Sequence, residues 1–329
     1  MKDMKKVKGI KIEKSMKVSE LVDGMKGMGF GAGRIGEAAE IYSEMIKDKN
    51  CKVFFGVAGA MVPSGMKHVI LEVLDNADVF VTTGANLTHD LVEALGSSHY
   101  KLAKWDDEEL HEKGLDRMYN VAMSNDVYEK MEDFFENNWK EFQECKTIKE
   151  FLWKIGEILS EEKDFGSESH RRPPTTHPGD RELTEPKFKD SILIKCFEKE
   201  IPIFCPALAD SGIGLMIWGR KMKGSEYDIN IDAFEDMKEI IDIAWQSKKN
   251  GVIYVGGGVP KNFIQQSLQF SKGADYGIQI TTDNAVYGGS SGASLVEGKS
   301  WGKLKNDAKF VDVFCDATIA LPLILASVK

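Results

Sequence analysis

The chain has 329 residues, 42% hydrophobic and 29% charged, the balance of a soluble globular protein with apolar residues enough for a sizeable core. Its net charge of −9 and pI of about 5.4 argue against a nucleic-acid or anionic-membrane binder and suit a cationic ligand. Five scattered cysteines with no C-x-x-C pair argue against a disulfide framework and a zinc site, so no metal is expected.

The opening MKDMKKVKGIKIEK alternates lysines with single apolar residues and does not read as a secretory signal. KVSELVDGMKGMGF then has the pattern of an amphipathic helix, with Val18, Leu21, Val22 and Met25 on one side. A second helix is expected over Arg34 to Lys47, with Ile35, Ala38, Ile41 and Met45 aligned. From there short apolar runs alternate with helical patterns. The runs are Val53 to Val57, Val79 to Thr83, Ile201 to Cys205, Val252 to Gly256, Tyr276 to Ile280 and Phe310 to Phe314. Near-continuous apolar strands between helices predict an α/β fold with a mostly parallel sheet covered on both faces. Roughly Asp106 to Leu159 reads as mostly helical. Asp164 to Pro186, with four prolines and no apolar periodicity, reads as a long surface loop inside a single domain spanning 1–329. The late apolar run Ala317 to Val328 contains Pro322 and is too short to span a bilayer, so a cytoplasmic protein without a membrane partner is expected. Cys205 and Cys315 sit in apolar runs and read as buried, inert thiols.

Each strand run ends in Gly, Ala, Ser, Thr or Asp, residues that let a ligand approach the backbone. Any one of these ends is equally well a tight turn; six together favour a ligand crevice beyond the carboxyl ends of the strands. No G-x-G-x-x-G stands in place, but GGGVPK at 256–261 follows a strand and opens a helix, so its N–H groups could cradle a phosphate. Ser300-Trp-Gly-Lys303 places a lysine beside an indole, just after GGSSG at 288–292. Desolvation there would free the amine for imine formation. On local composition alone, a solvated lysine after a turn is the stronger reading.

The C-terminal KGADYGIQITTDNAVYGGSSGASLVEGKSWGKLKNDAKFVDVFCDATIALPLI resembles that of deoxyhypusine synthases, whose imine-forming lysine lies in a Ser-Trp-Gly-Lys motif. VIYVGGGVPK, IPIFCPALADSGIG, ADVFVTTGAN and GFGAGRIGEAA extend the similarity over nearly the whole chain. The resemblance implies a Rossmann-like, doubly wound fold, a homotetramer and NAD bound near a subunit interface. It implies oxidation of an amine such as spermidine and passage of its 4-aminobutyl group onto the enzyme as an imine. The acceptor implied is a lysine of a small translation factor. By resemblance Lys303 is the nucleophile, Trp301 the wall beside the amine chain and Glu297 a carboxylate near its end, with Gly288, Gly289 and Ser290 also on the amine side. NAD contacts fall on Gly59, Ala60, Met61, Thr83, Gly84, Ala85 and Asp210. Others fall on Gly257, Thr282, Asp283, Asp316 and Ala317. Asp316 reads equally as a helix cap.

The amine side departs from the family pattern. Asn262 stands where spermidine-using members have a histidine, Leu215 and Ser290 where aspartates are expected, and Gln279 where a tyrosine is. Thr88 and His89 replace paired glutamates. At roughly 1–3 kcal/mol per charge-assisted contact, these losses should weaken spermidine binding by several kcal/mol. His89 either takes over proton transfer or caps a helix beginning near Asp90. Three readings follow. The first is transfer with an altered donor or acceptor, including a small amine as in homospermidine synthases. The second is an authentic deoxyhypusine synthase, and the third a catalytically silent NAD-binding paralogue.

Overall fold

All six apolar runs become strands of one parallel sheet in a computed structural model, which describes residues 4–161 and 190–328. In chain order the strands are β1 (Cys51–Val57), β2 (Val79–Thr82), β3 (Tyr100–Lys101), β4 (Leu115–Met118) and β5 (Val121–Ser124). They continue with β6 (Ile203–Phe204), β7 (Lys249–Val255), β8 (Ala274–Thr281) and β9 (Leu304–Phe314). The main sheet runs β6-β2-β1-β7-β8-β9, with every pairing parallel.

Side chains alternate faces along a strand, and here both faces are covered, which is why the strands read as unbroken apolar runs. Phe55, Val57, Ile253 and Val311 pack with Ala38, Met45, Leu321 and Ile324 of the Phe30–Lys47 and Ala317–Val328 helices. Phe54, Val81, Val252 and Tyr254 face the other way, onto Ile240, Ala244, Ile264 and Leu268 of the Ala233–Gln246 and Gly258–Gln269 helices. β9 begins at Leu304 rather than Phe310. Its early residues, Lys305, Asn306 and Asp307, are the polar ones of an edge strand and hid it from an apolar search.

The stretch expected to be mostly helical is corrected in part. β4 and β5 form an antiparallel hairpin inside it and pair with β3 in a separate sheet. The hairpin turns at Tyr119, whose φ of 52° is a left-handed conformation that its side chain does not advertise. The expected surface loop at 164–186 lies outside the described residues. Among the described residues no helix is long and apolar enough to cross a membrane.

The strand order fixes where a ligand can enter. From β1 the chain moves outward through β2 to β6, then returns to β7 on the other side of β1 and proceeds through β8 to β9. Loops leaving β1 and β7 therefore diverge, opening a crevice at the carboxyl edge of the sheet.

Candidate active site

The crevice edge is knit from buried polar groups. Thr83 caps the Gly84–Ala94 helix, accepting from the Asn86 N–H at 3.2 Å, and its hydroxyl donates to the Gly59 carbonyl at 2.6 Å. Asn86, fully buried, accepts from the N–H groups of Met61 (2.6 Å) and Val62 (3.3 Å) and donates to Thr82 Oγ1 (3.0 Å). These bonds bring Gly59, Ala60 and Met61 together with Thr83, Gly84 and Ala85. Gly59 has φ 71°, so glycine is required there, and its open side leaves the backbone bare.

The remaining cofactor candidates lie along the same edge. Asp210 is exposed after β6, ahead of the Ser211 cap of the Gly212–Lys221 helix. Gly257 follows β7, and a Cβ there would collide with the Cα of Ser291. Thr282 and Asp283 follow β8. Ser291 donates to Asp283, and that bond with one from the Asn284 N–H holds the carboxyl below its ordinary range. Asp316, after β9, caps the final helix by accepting from the Thr318 N–H and hydroxyl at 2.8 Å each, with Ala317 beginning that helix. Bare glycine backbone at a switch point, beside the N-termini of the Gly84–Ala94 and Gly258–Gln269 helices, fits the pyrophosphate of a dinucleotide.

The amine candidates are built differently. Gly288, Gly289 and Ser290 form an open turn, and the Ser290 hydroxyl donates to the Gly258 carbonyl at 3.3 Å. A 3-10 helix, Leu295–Trp301, is pinned to β9 where Asp312 accepts from the Leu295 N–H (3.0 Å) and the Ser294 hydroxyl (2.5 Å). Lys303 follows, its Nζ 4.9 Å from the centre of the Trp301 ring. Trp301 is 57% exposed, Glu297 is exposed and Lys303 is half-buried. The Lys303 carbonyl accepts from the Ala274 N–H at 3.0 Å. Its main chain therefore sits at the opening of β8, roughly 25 Å along that strand from Thr282. Asn262, at the start of the second turn of the Gly258–Gln269 helix, is exposed. Within one chain the amine candidates are thus divided: Gly288, Gly289 and Ser290 lie at the cofactor edge, and the Lys303 main chain lies at the other end of β8.

Between them lies a residue that motif reading passed over. Lys261 is 1% exposed, and its ammonium donates to the carbonyls of Ser290 and Ala293, each at 2.6 Å. Burial pulls its pKa down to about 8 against the attraction of Asp312 and Glu297, and Lys303 adds to the lowering. Its spacing to the buried Ile264 and Leu268, three and seven residues on, is the signal that marks it as inward-facing. Gln279, beside it, donates to the Ala293 carbonyl at 3.0 Å while its Oε1 is buried without a partner.

His89 does not cap a helix, because the helix begins at Gly84 and His89 lies inside it. Its Nδ1 meets His99 Nε2 at 2.9 Å, His99 Nδ1 meets Glu93 at 2.8 Å, and Glu93 pairs with Lys67. Burial, reinforced by the neighbouring His99, lowers the His89 pKa to about 4. Thr88 accepts from the Ile213 N–H at 3.2 Å, a packing role between two helices. Burial pushes the Cys205 thiol up to about 12, whereas Cys315, expected to be buried, is only partly so because it lies at the open end of β9.

A family model described as deoxyhypusine synthase matches residues 20–328. The chain is 41% identical over 319 residues to a protein named "Probable deoxyhypusine synthase 1" of Archaeoglobus fulgidus, covering 96% of this chain and 95% of that one. It is 40% identical to a protein of the same name from Methanosarcina acetivorans, covering 98% and 94%. It is 34% identical to "Probable deoxyhypusine synthase" of Methanothermobacter thermautotrophicus, covering 97% and 96%. A solved structure from Entamoeba histolytica, itself proposed to be a deoxyhypusine synthase, superposes with a TM-score of 0.64 at 20% identity over 98% of this chain and 96% of that one, a likeness of fold.

Proposed function

The chain belongs to the deoxyhypusine synthase family, and from that premise we propose that it is an NAD-dependent transferase that oxidises an amine and passes an aminobutyl-type fragment through an imine on Lys303 to an amine acceptor. The observation that carries this is the Lys303 amine on the face of Trp301, just after the 3-10 helix that carries Glu297. Lys303 is the nucleophile, Trp301 lies along the apolar chain of the donor, and Glu297 pairs with a distal ammonium. Gly59, Met61, Thr83, Gly84 and Gly257 hold the cofactor, with Asp316 toward its ribose. Bound NAD supplies the hydride acceptor and later the hydride donor.

Leu215, 56% exposed, and Ser290 supply no carboxylates. A donor carrying less charge than spermidine therefore fits better, and the acceptor is a small amine or a translation-factor lysine. His89, neutral above about pH 4, is poorly matched to carrying a proton at neutral pH. The large apolar side chains left bare, Trp218, Tyr287, Trp301 and Leu215 among them, favour cover by a neighbouring subunit, as in the homotetramer that the family resemblance implies.

Incubation with NAD and spermidine, putrescine or agmatine, followed by borohydride reduction and mass measurement of the Lys303 peptide, tests the proposal. An adduct with one amine identifies the donor. Spermidine alone would mark an authentic deoxyhypusine synthase, and no adduct with any amine would leave an NAD-binding paralogue.

A further inference from the structure

An ammonium is an expensive group to bury, and it persists inside a helix face only where its hydrogen-bond partners repay the lost hydration. For Lys261 all of that hydrogen bonding goes to one segment. It holds the carbonyls of Ser290 and Ala293 at 2.6 Å each, and Gln279 of β8 adds a third bond from beneath, to Ala293. On the outer side Ser291 is tied to Asp283. The same segment lies with its Ser291 backbone directly on Gly257, where no side chain would fit. A loop of glycines and serines, otherwise open to solvent, is thus fastened onto the turn that leaves β7.

We propose that Lys261 is a positioning residue, its buried ammonium locking the Gly288–Ala293 loop onto the glycine turn after β7 and so fixing the amine side of the site relative to the cofactor crevice. What the two sides bind rests on the functional reading above; the lock itself rests on the bonds. Lysine suits the task because its long apolar stem can be buried while its head offers several donors, two of which meet the Ser290 and Ala293 carbonyls. Asp312 from β9 and Glu297 from the 3-10 helix balance the charge, and Lys303 opposes it, so the charged groups of the amine side all bear on this one ammonium. Burial works against the charge, but removing the ammonium would leave two carbonyls of this loop without their donor, so the loss falls first on the loop itself.

That locality gives the test. In the full chain, Lys261→Met is expected to speed hydrogen exchange in the 285–295 peptide about tenfold while the β7 peptide keeps its protection, with only a modest fall in the thermal midpoint from the two stranded carbonyls. The NADH dissociation constant, read by cofactor fluorescence, is expected to rise about fivefold, and cyanoborohydride capture of 4-aminobutanal at Lys303 to slow by a similar factor. Gln279→Leu, which removes only the neutral donor, is expected to produce a smaller effect in the same peptide. Unchanged exchange in that peptide, or loss of protection throughout the molecule with a large fall in the midpoint, overturns the proposal. Wild-type protein that neither binds NADH nor captures the aldehyde would instead sink the functional reading, and the exchange result would still decide the role of Lys261.

Discussion

Around Asn86 both ends of a buried amide meet partners from the same chain, and two loops of the crevice hang from it. Around Trp301 more than half of the side chain faces outward, and Lys303 rests on it by a single cation–π contact. The first region is shaped by backbone and cannot change without disturbing the sheet. The second is shaped by side chains on a short turn, and it can be altered with little consequence for folding. Three of the departures from the family pattern, Leu215, Asn262 and Ser290, fall on or near the open side, whereas Gln279, Thr88 and His89 are buried and each is accommodated by packing or hydrogen bonds. A cofactor common to a family needs a rigid cradle, whereas donor choice is set on the side that tolerates change.

The sharpest way to break this comparison is Lys303→Ala. Turnover and borohydride-trapped adduct should fall by about a thousandfold or more, since no neighbouring group replaces an imine-forming amine. Stability should stay within about 0.5 kcal/mol, as expected of a half-buried surface residue. Lys303→Arg should fail equally, which separates nucleophile from charge. Asn86→Ala inverts the pattern. Stranding several buried donors and acceptors should cost about 4 kcal/mol in urea unfolding, with NAD affinity lost alongside. Should Asn86→Ala prove harmless, the crevice would not be the over-determined region.

His89 sharpens the comparison through pH. Its folded pKa of about 4 lies below the ordinary 6.5, so the folded state holds fewer protons than the unfolded between those values. Stability is therefore fully present above pH 6.5 and lost as pH falls through 4, by about 3 kcal/mol in all. The groups facing it are His99 and, one step on, Glu93. Comparing thermal midpoints of wild type and His89→Gln at pH 7 and pH 4.5 isolates this contribution from the carboxylates. A variant with the same pH dependence as wild type would remove His89 from the buried network.

Parallel strands buried on both faces announce themselves in one-dimensional text, and all six were legible, as were the small residues at their ends. The β4–β5 hairpin was not, because Tyr119 adopts a turn conformation usually given to glycine or asparagine. Lys261 was missed because a buried lysine and a solvated one are the same letter; only its spacing to Ile264 and Leu268 distinguishes them. The bond between His89 and His99 depends on how the chain doubles back, which no local pattern encodes. Lys303 stood out by resemblance rather than by physics. By composition it reads as a solvated lysine, and in one chain it is indeed half exposed. Its chemistry depends on what covers it.

The smallest expected effect is the most discriminating about that cover. Trp301→Ala removes an aromatic face that is mostly exposed in one chain, so an exposed cation–π contact of about 0.5–1 kcal/mol is all that should be lost. The Michaelis constant of the donor should then rise about three- to fivefold, with folding stability unchanged. If the indole is instead enclosed by a neighbouring subunit, its loss should be several times larger and should depend on protein concentration, because assembly and site would weaken together. Measuring the donor's Michaelis constant for Trp301→Ala at two protein concentrations a hundredfold apart separates these outcomes. A large, concentration-dependent effect would mean that the amine side is as firmly built as the crevice, with its second wall supplied by another copy of the chain.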